Sequence, residues 1–477
     1  MLFNSLVFIV FFAVVFVVYW FVLQKNLRLQ NFFILIASYV FYGWWDWRFL
    51  SLIIFSSLVD FQIGKSIPTS QHPKRLLWLS LIVNLGLLGV FKYANFFINS
   101  FIDSLNTVGI QADPITLGII LPVGISFYTF QTLSYTIDIY KKRLEPTSDW
   151  LAFFAFVSFF PQLVAGPIER AKHLLPQFYE SRKFDYGIAS SGAKLIILGF
   201  FKKLVVADGA STMVDAVYNA PESFAGFPMV VATIFFTFQI YGDFSGYSDI
   251  AIGLSRILGF DLLDNFKRPY FARSLTDFWR RWHISLSLWF RDYLYIPLGG
   301  SKGSSFTTYR NLFITFLVSG LWHGANWTFV VWGAIHGVVL MLERAFGWSD
   351  PDKGWAPIRL LSTFVIVVLA WVFFRANNVA DAFYILSHMF SDMALYTDPN
   401  SLMLKFRGTG LQAPDVLNTV FFVVMLFGLE WGIETQKLPA LLQKYAPVKW
   451  LLYWILVLCI LFWGCDQAVD NFIYFQF

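Results

Sequence analysis

The chain has 477 residues, of which 57% are hydrophobic, 20% aromatic and only 14% charged, with a net charge of +5. That balance excludes an ordinary soluble protein, and no polar stretch is long enough to build a separate soluble domain. Nor does it suggest a nucleic-acid partner; membrane lipids are the expected surroundings.

Leu2 to Leu23 opens the chain as an apolar run. It has no basic residue ahead of it and no small-residue cleavage site, so it reads as a retained helix rather than a signal peptide. Leu76 to Phe91, Met229 to Tyr241, Leu360 to Phe374 and Val416 to Leu429 are similarly poor in charge, and several approach the length needed to cross roughly 30 Å of hydrocarbon. Tyr93 to Tyr140 and Leu204 to Ser255 contain no Lys or Arg, so their loops are expected outside. Lys25 and Arg28, Lys65 to Arg75, Lys141 to Arg143, Arg170 to Lys203 and Arg256 to Arg310 are basic and expected inside. Threading spans between them places the N-terminus outside, with seven crossings to about Ile252. Spans near 359–374, 416–434 and 450–465 bring the total to about ten and return the C-terminus outside. The loop from Arg375 to Asp415, acidic apart from Lys405 and Arg407, then falls outside too. Cys459 and Cys465 lack CxxC spacing and read as small packing residues, and no metal is expected.

Two apolar stretches do not fit as simple spans. Trp150 to Leu163 has basic flanks on both sides and runs into Val164-Ala-Gly-Pro-Ile-Glu-Arg170, where Pro161, Gly166 and Pro167 break helix. Asn311 to Trp322, about twelve residues or roughly 18 Å as helix, ends at Gly320-Leu-Trp-His-Gly-Ala-Asn326, and Trp327 to Leu342 returns to basic Arg344. This hairpin is expected to reach just past the midplane and to place His323 there, where broken backbone needs a cavity or protein around it. An ionisable residue at that depth marks a functional site. Gly320 and Gly324 permit close approach, and Asn326 offers a donor and an acceptor beside the histidine.

The segment 256–310 carries nine basic residues against four acidic ones, which suits a polyanionic ligand or anionic lipid. Within it, Arg273 to Asp292 reads as an amphipathic helix on the cytoplasmic surface, capped by Ser274. Trp279, Leu286 and Phe290 share the apolar face with His283, and Arg280, Ile284, Ser287 and Arg291 form the adjacent stripe. Membrane anchoring explains most of that pattern but not His283; Arg280 and Arg281 are the expected contacts for such a polyanionic ligand. Further upstream, Tyr241-Gly-Asp-Phe-Ser-Gly-Tyr-Ser-Asp249 brings Asp243, Ser245 and Asp249 into a span end. Their expected role is scaffolding, with the arginines of the following segment as partners.

The run from Tyr241 to Gly253, the Asp277-Phe-Trp-Arg-Arg-Trp-His283 block and Ser319-Gly-Leu-Trp-His323-Gly together resemble the membrane-bound O-acyltransferase (MBOAT) family. Tyr42-Gly-Trp-Trp45, Phe160-Pro-Gln-Leu-Val-Ala-Gly-Pro167 and Trp371-Val-Phe-Phe-Arg375 extend the likeness from about Tyr42 to Arg375. The bacterial branch of alginate O-acetylation subunits is nearest and the teichoic acid D-alanyl transferases are more distant. The resemblance implies an all-α polytopic integral membrane protein, about ten spans plus two re-entrant hairpins around a through-membrane tunnel, in a single domain over 1–477. It also implies His323 as the catalytic histidine and His283 as a second functional position. Its donor would be acetyl-coenzyme A or an acylated carrier protein, with no resident cofactor. Its acceptor would be an exopolysaccharide or cell-wall polymer, often reached through an extracytoplasmic partner acetyltransferase, at a bacterial cytoplasmic membrane. The chemistry agrees, since acyl transfer from thioester to hydroxyl needs a base near neutral pKa, which histidine provides. No Cys or Ser nucleophile stands beside the histidines in the motifs, which favours direct attack by the acceptor. A transporter or channel is the rival from another class, weakened by the lack of an inverted repeat; a lipid acyltransferase or D-alanyl transferase is the rival within the family. His336 reads as structural, and His72 and His388 as loop residues.

Overall fold

The computed structural model describes residues 1–113, 116–352, 354–391 and 413–464, and its regular elements are all helices. Seven described helices are long and apolar enough to cross a bilayer: Trp47–Ser66, Pro73–Thr107, Phe227–Ile257, Trp327–Ala345, Ala356–Arg375, Pro414–Glu434 and Ala446–Trp463. Leu6–Val22 is a shorter apolar helix where the first span was expected. The all-α polytopic membrane class is therefore the one observed. The segment 392–412, with Lys405 and Arg407, and Cys465 lie outside the described residues, while Cys459 is buried. The helices gather into two compact units, Met1–Ala193 with Ala251–Leu263, and Lys194–Ile250 with the described residues from Asp264 onward.

In the first unit, α1 (Leu6–Val17) starts where Ser5 Oγ accepts from Phe8 N, and α2 (Leu27–Gly43) where Asn26 caps Leu29 N. After them come α3 (Leu50–Ser66), α4 (Pro73–Leu88), α5 (Ala94–Thr107) and α6 (Ile125–Tyr140). A π-helical turn over Gly89–Tyr93 joins α4 to α5, so helix continues well past the expected end at Phe91. Helices α3, α4 and α6 pack on one another around the buried Asp60. Its carboxylate accepts from Ser80 Oγ at 2.6 Å and Asn84 Nδ2 at 2.8 Å, which makes burial of a polar group in an apolar helix tolerable.

The first irregular stretch behaves as its sequence implies. Helix α7 (Trp150–Ser158), capped by Asp149, has nine residues and is too short to cross. Phe159 leaves the helical region with ψ at 106°, before the four-residue α8 (Phe160–Leu163). Phe160 N donates to Ser38 Oγ at 3.1 Å, and Phe159 to Leu163 are buried, so protein surrounds the broken backbone.

Beyond it, α9 (Ala171–Leu174) carries His173, whose Nδ1 lies 2.7 Å from Glu169 Oε2 and Nε2 3.5 Å from Asp261 Oδ2. Glu169 Oε1 also accepts from Leu263 N, so both of its oxygens are engaged. The hydrogen bond to Glu169 holds the imidazole above its usual pKa against the opposing pull of burial. A raised folded-state pKa means the stabilisation is complete below the unfolded pKa and is lost as pH rises through the folded one. The thermal midpoint should fall as pH rises across that window, and His173→Gln should flatten the fall. An unchanged slope in the variant would remove His173 as its cause.

The second unit begins in α10 (Tyr186–Phe200), which continues through a π-helical turn at Phe201–Ala207 into α11 (Asp208–Asn219). Next come α12 (Phe227–Ile257), α13 (Leu275–Arg281), α14 (Ile284–Phe290), α15 (Ser305–His323), α16 (Trp327–Ala345), α17 (Ala356–Arg375) and α18 (Val379–His388). Helices α19 (Ala413–Glu434), α20 (Lys437–Lys444) and α21 (Ala446–Trp463) complete it. His388 ends a helix with its ring stacked on Tyr384 at 4.1 Å, rather than lying in a loop.

The glycines of the Tyr241 to Asp249 motif explain how α12 packs. A Cβ on Gly246 would meet Gly199 O at 2.6 Å, and one on Gly242 would meet Lys202 O at 2.7 Å, so these two backbones touch through glycine. The contact brings the α12 carboxylates to a pair of lysines. Lys203 Nζ sits 2.9 Å from Asp243 and 2.7 Å from Asp208, and Lys202 Nζ sits 2.9 Å from Asp249 and 3.7 Å from Glu430. Tyr241 donates to Glu430 as well. The expected arginine partners are thus replaced by Lys202 and Lys203, which lie buried in mid-helix instead of in a cytoplasmic loop. Low dielectric drives this pairing, because a buried carboxylate needs a countercharge within reach.

Candidate active site

The hairpin that carries His323 is longer than its hydropathy suggests. Ser304 Oγ accepts from Thr307 N and starts α15 at Ser305, ahead of the expected Asn311, giving 19 residues or roughly 28 Å. The arm has the length of a full crossing rather than a half one. Asn326 Oδ1 caps α16 through Thr328 N at 3.0 Å. A Cβ on Gly320 would meet Phe329 O at 2.2 Å, and one on Gly333 would meet Phe316 O at 2.3 Å, so only glycine lets the arms lie this close. Gly324 is equally confined, since its Cβ would strike the Phe329 ring at 2.1 Å. These contacts fix the last turn of α15 and with it the imidazole.

His323 is buried, its ring centroid 5.0 Å from Trp322, 5.2 Å from Trp332 and 5.3 Å from Phe374. The His283 ring lies 6.2 Å away. His283 is not on a helical face, because the expected helix from Ser274 onward breaks at Trp282 and His283. The histidine takes a left-handed conformation with φ 42° and ψ 54° between α13 and α14. For a non-glycine residue that conformation costs on the order of 1–3 kcal/mol and is held by its surroundings. Asn265 supplies the hold, accepting from Ile284 N at 3.0 Å through its backbone and from Ser285 Oγ at 2.9 Å through its side chain. Lys267 N donates to Arg281 O at 2.8 Å. The break turns the His283 ring inward onto Phe244, 4.6 Å away, and buries the segment that was expected to lie as a surface helix.

Around the two histidines stand Trp282, Trp322, Trp332, Trp371 and Phe374. Trp332 and Trp371 are stacked at 5.7 Å, and Trp371 lies 5.0 Å from Trp282. Among the described residues, no hydrogen-bond partner meets either ring nitrogen of His283, Ser245 Oγ, or the indole nitrogens of Trp332 and Trp371, all buried. Buried polar atoms normally find partners. Several unmatched ones near a histidine pair leave donors and acceptors for a bound group.

The other candidate residues separate by contact. Arg281 pairs with Asp277 at 2.9 Å and Glu434 at 2.7 Å, and Arg268 also reaches Glu434, at 2.6 Å, so Arg281 anchors α13 to the end of α19. Arg280 is exposed. Asn326 caps α16 and donates to Asn377 O at 2.9 Å. His336 accepts from Trp279 Nε1 at 3.4 Å inside the core. Glu343, which the sequence reading passed over, accepts from Leu275 N and Thr276 N and so fixes the start of α13 to α16. Lys202 and Lys203 were also missed, although two adjacent cations inside an apolar run were a legible signal. A cavity of about 470 Å³ lies beside the hairpin turn, lined by Asp215, Asn219, Ala325, Asn326, Phe329, Arg375, Ala376 and Asn377.

Two buried histidines with rings 6.2 Å apart, carried by a multi-pass helical protein, form the candidate site. The chain belongs to the membrane-bound O-acyltransferase family, whose model matches residues 140–383 and so contains both histidines. It is 42% identical over 433 residues to the probable alginate O-acetylase of Pseudomonas aeruginosa, covering 90% of this chain and 82% of that one. It is 36% identical over 424 residues to the peptidoglycan O-acetyltransferase of Helicobacter pylori, covering 82% and 80%. Against the teichoic acid D-alanyltransferase of Streptococcus thermophilus identity is 26% over 355 residues, covering 68% and 85%. This chain is accordingly a membrane O-acyltransferase, and the transporter reading falls away.

Proposed function

We propose that the chain is an O-acetyltransferase of a bacterial cytoplasmic membrane, with N- and C-termini outside. It takes the acetyl group of a cytoplasmic thioester, acetyl-coenzyme A or an acylated carrier protein, to an extracytoplasmic hydroxyl through a membrane tunnel. The hydroxyl belongs to a polysaccharide such as alginate or peptidoglycan, or to a partner acetyltransferase that relays the group. The carrying observation is the buried His283 and His323 pair with rings 6.2 Å apart. At that centroid separation the two rings cannot hydrogen-bond to each other directly.

His323 removes the proton of the acceptor hydroxyl as its oxygen attacks the thioester carbonyl. A C–O bond forms, the C–S bond breaks, and the imidazolium returns the proton to the departing thiolate. His283, locked in its left-handed turn, orients the acyl group. Exposed Arg280 meets the phosphates or acidic surface of the donor.

Purified protein in nanodiscs, offered labelled acetyl-coenzyme A, palmitoyl-coenzyme A and D-alanyl carrier protein, should consume the acetyl donor by preference. Arg280→Glu should raise the donor KM several-fold and weaken its salt dependence. Preferred use of the palmitoyl or D-alanyl donor would replace the acetyl assignment, and no turnover of any donor would overturn the reading.

A further inference from the structure

We propose that α20 is a docking surface for anionic phospholipid headgroups, and that lipid seated there raises turnover by steadying the turn that carries His283. The second half rests on the acyl-transfer reading of that histidine.

Local sequence supplies the surface. Between Thr435 and Trp450 stand three lysines, Lys437, Lys444 and Lys449, and no Asp or Glu. On α20 the spacing of Leu438, Leu441 and Leu442 puts them on one face, while Lys437 and Lys444 stand two turns apart along its edge. No residue of α20 is buried, and Leu441 is 43% exposed, so among the described residues nothing covers the leucine face. Two helices long and apolar enough to cross a bilayer, Pro414–Glu434 and Ala446–Trp463, end on either side of it. A helix placed where a crossing turns back, apolar on one face and cationic at its edge, lies in the plane of the membrane surface.

Charge settles what covers it. Lys437 and Lys444 are exposed and Lys449 is half-buried, and among the described residues none of the three pairs with a carboxylate. Each rests on an aromatic face instead: Lys437 on Trp431 at 5.1 Å, Lys444 on Tyr445 at 5.2 Å and Lys449 on Trp450 at 5.9 Å. Those three rings are exposed, and Trp and Tyr settle at headgroup level, so the ammonium groups stand at the depth of lipid phosphates. The carboxylate nearest in sequence, Glu434, is taken by Arg268 at 2.6 Å and Arg281 at 2.7 Å. Both arginines belong to the basic segment 256–310, so α20 lies at the same end of the molecule as that segment, facing the leaflet whose anionic lipids attract Lys and Arg.

The same bonds reach the site. A Cβ on Gly432 would meet Leu438 Cβ at 2.9 Å, so α20 folds tightly onto the last turn of α19, with left-handed Gln436 (φ 59°) as the corner. The seat of α20 therefore sets the position of Glu434. Glu434 grips Arg281, which ends α13 two residues before His283. Headgroups that hold α20 thus hold the clamp on the strained histidine turn.

The test compares full-length wild-type protein with a triple variant, Lys437→Gln, Lys444→Gln and Lys449→Gln. Phosphatidylglycerol titration read by native mass spectrometry should show binding about fivefold weaker per lysine removed, with phosphatidylcholine binding unchanged. Excess glycerol phosphate should not displace the lipid, because the leucine face takes up its acyl chains; displacement would assign the lysines to a soluble phosphate and overturn the lipid surface. In nanodiscs, phosphatidylglycerol added to phosphatidylcholine should raise the wild-type kcat several-fold and leave the triple variant flat. Glu434→Gln should bind phosphatidylglycerol as the wild type does, yet lose the response. Equal phosphatidylglycerol binding by wild type and triple variant overturns the docking surface, and a wild-type kcat indifferent to this lipid overturns the link to His283. A donor KM raised in the triple variant in pure phosphatidylcholine gives the lysines to the donor and refutes the assignment. Absence of turnover with any donor sinks the acyl-transfer reading instead, and the lipid titration still decides the docking surface.

Discussion

Replacing His323 by alanine should reduce acetyl transfer by roughly 10² to 10⁴-fold, the range for loss of a positioned general base. Donor affinity should hold, because the base acts on the acceptor hydroxyl in the transition state and not on the bound thioester. The fold should survive as well. Contacts through Gly320, Gly324 and Gly333 hold the hairpin together, and none of them requires the imidazole. His283→Ala should cause a smaller loss together with a change in donor affinity. His336→Gln is the control, since its ring contacts Trp279 and Trp332 in the core and should affect the melting temperature more than turnover. Near-normal kcat in His323→Ala would dismiss the mechanism while leaving family membership intact.

The largest expected stability effect belongs to Lys203→Met. The lysine is buried between Asp208 and Asp243, and its removal leaves two carboxylates facing each other without the ammonium that holds them. Breaking a buried pair in this way costs about 3–5 kcal/mol. Purified variant protein should show a clear drop in unfolding temperature, or fail to accumulate. Adding Asp243→Asn should recover part of the loss, because it removes one stranded charge. Equal thermal midpoints for Lys203→Met and the wild type would mean that the ion pairs between the α10–α11 helix and α12 do not hold them together.

The sequence by itself determined the membrane class, the all-helical architecture, the break in helix after Trp150 to Ser158 and the place of His323 beside the hairpin turn, but not the full length of the hairpin arm. Those properties follow from hydropathy, from Gly and Pro as helix breakers and from the charge of neighbouring residues, all of which act over one or two helical turns. Tertiary structure decided what depends on distant partners. The Ser274 to Phe290 run has helical periodicity throughout, yet it breaks at His283 because Asn265 and Lys267 bind its backbone there. Asp243 and Asp249 had several basic residues to choose from in the sequence. Contact through Gly199, Gly242 and Gly246 made the choice, setting Lys202 and Lys203 beside them. The cavity beside the hairpin turn depends on Arg375 meeting Asp215, 160 positions apart, and no local rule of propensity or spacing reaches that far. Pairings of this kind are settled by which helix faces can approach closely enough for buried charges and amides to find one another.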